Sequence, residues 1–405
     1  MPMTMNVILA IGIMIAAGFL GGAIAAKVNF PRITGYLIVG ILLSPSVLNV
    51  IPEAMVHDFD IVTSVALGII AYLTGGSLRL ESVRKLGRSI AWITALQGIT
   101  PWFLTTLVIT FVAPFILSIP DATLASTYFP MAFVLGAIAL ATAPAATIAI
   151  IREMNAKGPL STTLLAVVAL DDVIAIVAFA IAAGVAEPLM TAGGVFSVYE
   201  TLAVPFLHIA ESVAIGAVFG LAIVYMAKLV KTRPLLIVVV LAAIILCIGI
   251  TELWGGSLLL ANMVVGFIVA NKAGSDEMVS GMQEIEEIIF VVFFVLAGMH
   301  FDSSTLRAAG IIAALIILCR SGGKYLGARA GARISGAPEV VRKYLGLGLL
   351  PKAGVTIGLG LLLESLFPTV GAVMFNALLA STIINELVAP PLTKYVIMKA
   401  DERNA

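Results

Sequence analysis

Apolar stretches of about 20 residues recur thirteen times along the 405-residue chain, and this recurrence constrains the fold more than any other feature. A bilayer core about 30 Å thick is crossed by a helix of about 20 apolar residues rising 1.5 Å each. The stretches cover residues 5–26, 33–51, 61–78, 89–117, 127–151, 159–185, 202–227, 234–251, 256–271, 284–299, 308–328, 345–365 and 369–393. Charged residues make up only 11% of the chain, against about 25% in a soluble domain. The expected fold is therefore an all-α, multi-pass integral membrane protein. Its 23 basic residues balance its 23 acidic ones, and with no basic tail or patch a nucleic-acid partner is not expected. Cys247 and Cys319 both lie inside apolar runs, which argues against a structural disulfide or zinc site. The first stretch lacks a basic lead and exceeds the 7–15-residue core of a signal peptide, so it reads as a retained helix. Loops are short, and no soluble domain is expected.

The basic residues test the count of spans, because cytoplasmic loops collect Lys and Arg. Odd-numbered connections and the tail hold nineteen of the 23, from Lys27 and Arg32 through Arg152 and Lys157 to Lys394, Lys399 and Arg403. Even-numbered connections hold Arg307 alone, with acidic residues such as Glu53, Asp121 and Glu187. A miscounted span would scramble this alternation. It predicts an outside amino terminus and a cytoplasmic carboxyl terminus.

Three basic residues remain, Arg320, Lys324 and Lys352, and all fall within spans, as do the adjacent carboxylates Asp171 and Asp172. A charge at mid-membrane costs at least about 2.5–3.5 kcal/mol, so these five residues are where function is sought. Successive side chains on a helix point about 100° apart, so the two aspartates need not share an environment. One can bind a cation or a proton while the other pairs with a fixed positive charge; a polar knot that fixes helix packing is the alternative. Lys324 is the natural charge partner, with Arg320 one turn earlier on the same face. Snorkelling of Lys324 toward the interface, and a structural role for Arg320, are the competing readings. Gly322 and Gly323 permit close approach of another helix.

Two spans carry helix-breaking chemistry. Leu140-Ala-Thr142-Ala143-Pro144-Ala-Ala-Thr147 in the fifth predicts unwinding among small and hydroxyl residues. Leu-Leu-Pro351-Lys352-Ala-Gly predicts a second break in the twelfth, where Lys352 either caps freed carbonyls or snorkels. The two spans are seven apart and so run in opposite directions. Interrupted helices at matching positions of inverted halves point to a transporter's substrate site. The first span offers Gly18-x-x-x-Gly22, a close-contact spacing that suits a dimer interface or packing within one protomer. Glu211, Glu252, Asn262 and Glu386 are polar residues in spans without a partner legible in the sequence.

With these residues in place the chain resembles bacterial sodium/proton antiporters of the monovalent cation:proton antiporter superfamily, specifically the tandem-aspartate branch with animal relatives. The resemblance spans nearly the whole chain. It rests on Asp171-Asp172, Thr142-Ala-Pro144, Phe-Phe-Val-Leu-Ala-Gly-Met299-His-Phe-Asp302, Lys324 and Leu-Pro351-Lys352-Ala. It implies inverted repeats with two crossing interrupted helices, and a homodimer. Each protomer would be one transporter domain, residues 1–405, with a mobile core (about 89–185 and 308–393), a dimerisation part (about 1–78 and 234–299) and a linker helix (about 202–227). Asp172 would carry cation and proton in turn, Asp171 would pair with Lys324, and Thr142 would add an oxygen to the coordination shell. Sodium or lithium and protons would be cargo, with no cofactor. Many relatives have Pro-Arg-Gly-Glu in the twelfth span where this chain has Pro351-Lys352-Ala353-Gly354, which leaves the role of that glutamate unfilled. Asp-Asp in place of Gln-Asp argues against ligand-gated potassium efflux, although potassium/proton antiport stays an alternative.

Rival classes fare worse. An organic-anion symporter of the same helix arrangement would not place two carboxylates at its site. A membrane enzyme would need a nucleophile and base, and the three histidines, His57, His208 and His300, sit near span ends. Nothing resembles a channel filter. The expected activity is sodium/proton exchange by alternating access through elevator-like motion of the core, electrogenic if both Asp171 and Lys324 change protonation.

Overall fold

The computed structural model describes residues 6–28, 30–78, 80, 87–143, 147, 150–151, 154–191, 203–230, 232–272, 277–352, 354–400 and 402. The described residues are overwhelmingly helical. In chain order the helices are α1 (Val7–Lys27), α2 (Arg32–Leu43), α3 (Glu53–Asp58), α4 (Asp60–Gly76), α5 (Arg88–Val112), α6 (Phe129–Ile138), α7 (Pro159–Thr191) and α8 (Val204–Met226). They continue as α9 (Arg233–Leu253), α10 (Leu258–Lys272), α11 (Glu277–Met299), α12 (Leu306–Ile334), α13 (Glu339–Gly348), α14 (Gly354–Leu366) and α15 (Gly371–Lys399). Each expected span falls on one of these helices, except that α6 covers only the first part of the fifth and the twelfth falls on two pieces of helix. Among the described residues, seven helices are each long and apolar enough to cross a membrane, and α15 at 29 residues is one of them. The short helix α3 was not expected; it fills the connection after the second span, which ends as helix at Leu43 rather than at residue 51.

The chain forms two compact units. One holds the residues through Ser77 together with Glu211–Leu306; the other holds Leu78–Ala210 together with the residues from Arg307 onward. In the first unit, small residues set the helix spacing. Gly18 lies against Val291 and Val295 of α11, and Gly22 against the Tyr36 ring of α2. The Gly18-x-x-x-Gly22 face is thus used for packing within one protomer.

The second unit carries all five intramembrane charges. Its core joins Ile93 of α5, Leu160, Leu164 and Val167 of α7, Ala328 and Ala332 of α12, Val341 and Leu345 of α13, and Ile397 of α15. Helix α12 meets α5 through a stripe of glycines one turn apart. A Cβ on Gly323 would lie 2.5 Å from Pro101 Cα, and one on Gly327 2.3 Å from the Leu96 carbonyl oxygen, so only glycine allows this approach. Gly322, the other glycine expected to help, has nothing within 4 Å of where its Cβ would stand.

Candidate cation and proton site

Both expected breaks are present. Helix α6 ends at Ile138, a turn follows, and Ala141–Ala143 leave the helix. Pro144 lies outside the described residues; the bias of any residue before proline against helical geometry accounts for the departure at Ala143. Helix α13 ends at Gly348, and the chain passes through Leu349–Lys352 before α14 begins at Gly354. Pro351 offers no N–H and disfavours helix in the residue before it. The two breaks touch directly, since the Ala143 N–H donates to the Pro351 carbonyl at 2.9 Å.

A broken helix leaves carbonyls without partners, and in a membrane each must be satisfied. Arg320 of α12 meets that need for both breaks at once. Its Nε donates to the Ala139 carbonyl (3.0 Å), Nη1 to Leu350 (2.7 Å), and Nη2 to Ala141 (2.7 Å), Pro351 (3.3 Å) and Leu349 (3.5 Å). The planar fork of five donors suits this task, which a lysine could not perform. Arg320 is fully buried and, where an aspartate partner was one expectation, its hydrogen bonds all go to backbone carbonyls. Lys352 is fully buried rather than snorkelling, and among the described residues it caps no carbonyl. Its buried Nζ donates to Ser381 Oγ at 2.9 Å, and the Glu386 carboxylate of α15 lies near its backbone N–H. Glu386 therefore faces the start of α14, the end of a half-helix where a negative charge is favoured. It stands beside the segment whose sequence lacks the glutamate of many relatives.

One turn along α12 from Arg320, Lys324 is equally buried and pairs with Asp171, Nζ to Oδ2 at 2.9 Å. The same ammonium donates to Thr142 Oγ1 and Gln97 Oε1, both at 2.8 Å, which uses all three of its protons. Thr142 in turn donates to Asp171 Oδ2 at 2.6 Å, and the Gln97 amide donates to Asp171 Oδ1. Asp171 is thus held from α12, from α5 and from the unwound segment after α6. The sequence reading missed Gln97; its signal was a polar residue inside the fourth span, together with the glycine stripe that brings α12 onto it.

Asp172 differs. It is buried, with 3% of its surface exposed, and its carboxylate lies near the Thr142 backbone N–H. Its Oδ1 has no hydrogen-bond partner among the described residues. A carboxylate oxygen left bare in a buried site is poised for a proton or a small hard cation. The Thr142 hydroxyl is bonded instead to the neighbouring aspartate and to Lys324. Thr147 does not join this group, because its Oγ1 bonds the Ala143 carbonyl one turn back. Among the described residues no three His, Cys, Asp or Glu side chains gather as a metal cage.

Two interrupted helices that meet at their breaks, their open ends tied by a buried arginine beside a carboxylate pair, define an ion-coupled membrane transporter, not an enzyme. The family model described as sodium/hydrogen exchanger, transmembrane, matches residues 13–399, and the chain belongs to that family. It is 26% identical to the Na(+)/H(+) antiporter NhaS4 of Synechocystis sp., covering 96% of this chain and 95% of that one. It is 23% identical to the Na(+)/H(+)-K(+) antiporter GerN of Bacillus cereus, over 95% and 94% of the two chains. In fold it is similar to the sodium proton antiporter MjNhaP1 of Methanocaldococcus jannaschii, with a TM-score of 0.77 at 16% identity over 97% and 98%.

Proposed function

We propose that this protein exchanges sodium or lithium for protons across a membrane, with Asp172 as the carboxylate that holds the two in turn. One observation carries the reading: Asp171 is fully engaged by Lys324, Thr142 and Gln97, whereas the adjacent Asp172 keeps a buried oxygen unpartnered. The names of the relatives NhaS4 and GerN support sodium and protons as cargo, and GerN's adds potassium. Sodium displaces one proton from Asp172, and its charge against the Asp171–Lys324 pair loosens that pair, so Lys324 releases a second. Return of the empty carrier takes protons back. Two protons then move per sodium ion, and the cycle is electrogenic. Access alternates as the unit that carries the charges moves, with the amino terminus outside and the carboxyl terminus in the cytoplasm of a prokaryotic inner membrane. The dimer would form through the other unit.

The test is cation-induced proton movement in proteoliposomes with an imposed pH gradient, comparing sodium, lithium and potassium. Sodium- or lithium-dependent dissipation that is lost in Asp172→Asn, and that responds to membrane potential, is the expected result. A response to potassium alone assigns the alternative cargo. Exchange that survives Asp172→Asn removes Asp172 from its role.

A further inference from the structure

The helix that carries both aspartates is capped at its start by a side chain from 242 residues further along the chain. Helix α7 begins at Pro159, which has no N–H, and the residue before it is Gly158, which has no side chain with which to cap. The free first-turn donors are therefore those of Leu160 and Ser161. Both are taken by Glu402. Its Oε1 accepts from the Leu160 N–H at 2.6 Å, and its Oε2 accepts from the Ser161 N–H at 2.8 Å and from Ser161 Oγ at 2.6 Å. The Lys157 N–H donates to the Glu402 carbonyl at 3.0 Å, so backbone and side chain are both anchored. Glu402 is 4% exposed. Gly158 makes room for it, because a Cβ there would stand 2.3 Å from Glu402 Cδ. Below the contact, Ile397 of α15 joins Leu160 and Leu164 in one apolar cluster.

A carboxylate at a helix N-terminus is favoured by the helix dipole as well as by its hydrogen bonds. Asp172 lies eleven residues beyond Ser161, roughly 16 Å along a rigid helix. Any slip or tilt of the α7 start is passed along that helix to the carboxylate pair, whose contacts with Lys324, Thr142 and Gln97 come from other elements of the same unit. We propose that Glu402 is a positioning residue for cation exchange, latching the end of the chain to α7 so that the aspartates meet their partners in register. This rests on the reading that Asp172 carries the cation.

The test compares Glu402→Ala, Ser161→Ala and the double variant in full-length protein, reconstituted and assayed for sodium-driven proton movement, with Asp172→Asn in parallel. A displaced site binds sodium more weakly while the surviving machinery turns over as before. Glu402→Ala should thus raise the apparent KM for sodium about threefold to tenfold at little changed maximal rate. Ser161→Ala should raise it less, and should add nothing once Glu402 is gone, because the two act through one contact. A wild-type KM in Glu402→Ala, a loss confined to maximal rate, or independent addition of the two substitutions overturns the proposal. Should Glu402→Ala not be recovered folded, Ser161→Ala decides alone: a raised KM at unchanged maximal rate upholds the latch, and any other result overturns it. Exchange retained by Asp172→Asn would bring down the reading beneath the proposal, whereas exchange lost there with normal KM in the other variants brings down the latch alone.

Discussion

At the scale of single residues, the site separates two cations that stand one helical turn apart on the same face of α12. Arg320 spends its donors on carbonyls from both breaks, and Lys324 spends its own on Asp171, Thr142 and Gln97. Geometry explains the division, since a flat fork reaches several carbonyls while a compact ammonium fits one polar cluster. Removing one member of a buried pair leaves the other charge uncompensated, at about 3–5 kcal/mol. Lys324→Gln should therefore lower the melting temperature of the purified protein markedly, and Asp171→Asn made in the same chain should restore part of it. Equal melting of wild type and Lys324→Gln would mean that the pair contributes no stability. The sequence located Lys324 and both aspartates because a mid-span charge is costly enough to stand out. It could not separate the tasks of Arg320 and Lys324, which follow from where the carbonyls of two distant breaks converge. Gln97 escaped because a neutral amide in a span carries no comparable penalty.

At the scale of elements, two devices build the site. The breaks after Ile138 and Gly348 place open backbone next to the carboxylates, and the Gly323–Gly327–Gly331 stripe lays α12 on α5 so that Gln97 reaches Lys324. A leucine at Gly327 cannot be seated 2.3 Å from the Leu96 carbonyl without parting the helices. Gly327→Leu should thus abolish sodium-dependent exchange, while the same change at Gly322, which faces open space, should leave exchange near wild type. Transport assays on the two variants check this, and equal activity would refute it. The breaks were legible from Pro144 and Pro351. The partner of each freed group was not, because partners such as Arg320 and Glu386 lie far away in the chain. Glu402 illustrates the same limit. An acidic residue near a chain terminus has no periodicity to mark it, and only the fold brings it to the start of α7.

At the scale of the whole molecule, the apolar stretches fall where the structure has helix, while α3 and the breaks in the fifth and twelfth spans lie below what span length and loop charge can show. The central claim is that one buried carboxylate holds a proton or a sodium ion but not both. It is tested most directly by adding sodium to purified protein in weakly buffered detergent solution and following pH. The account predicts proton release that saturates with sodium in the wild type and is lost in Asp172→Asn, while Glu402→Ala releases protons at higher sodium concentrations. Release of the same size from Asp172→Asn would contradict it.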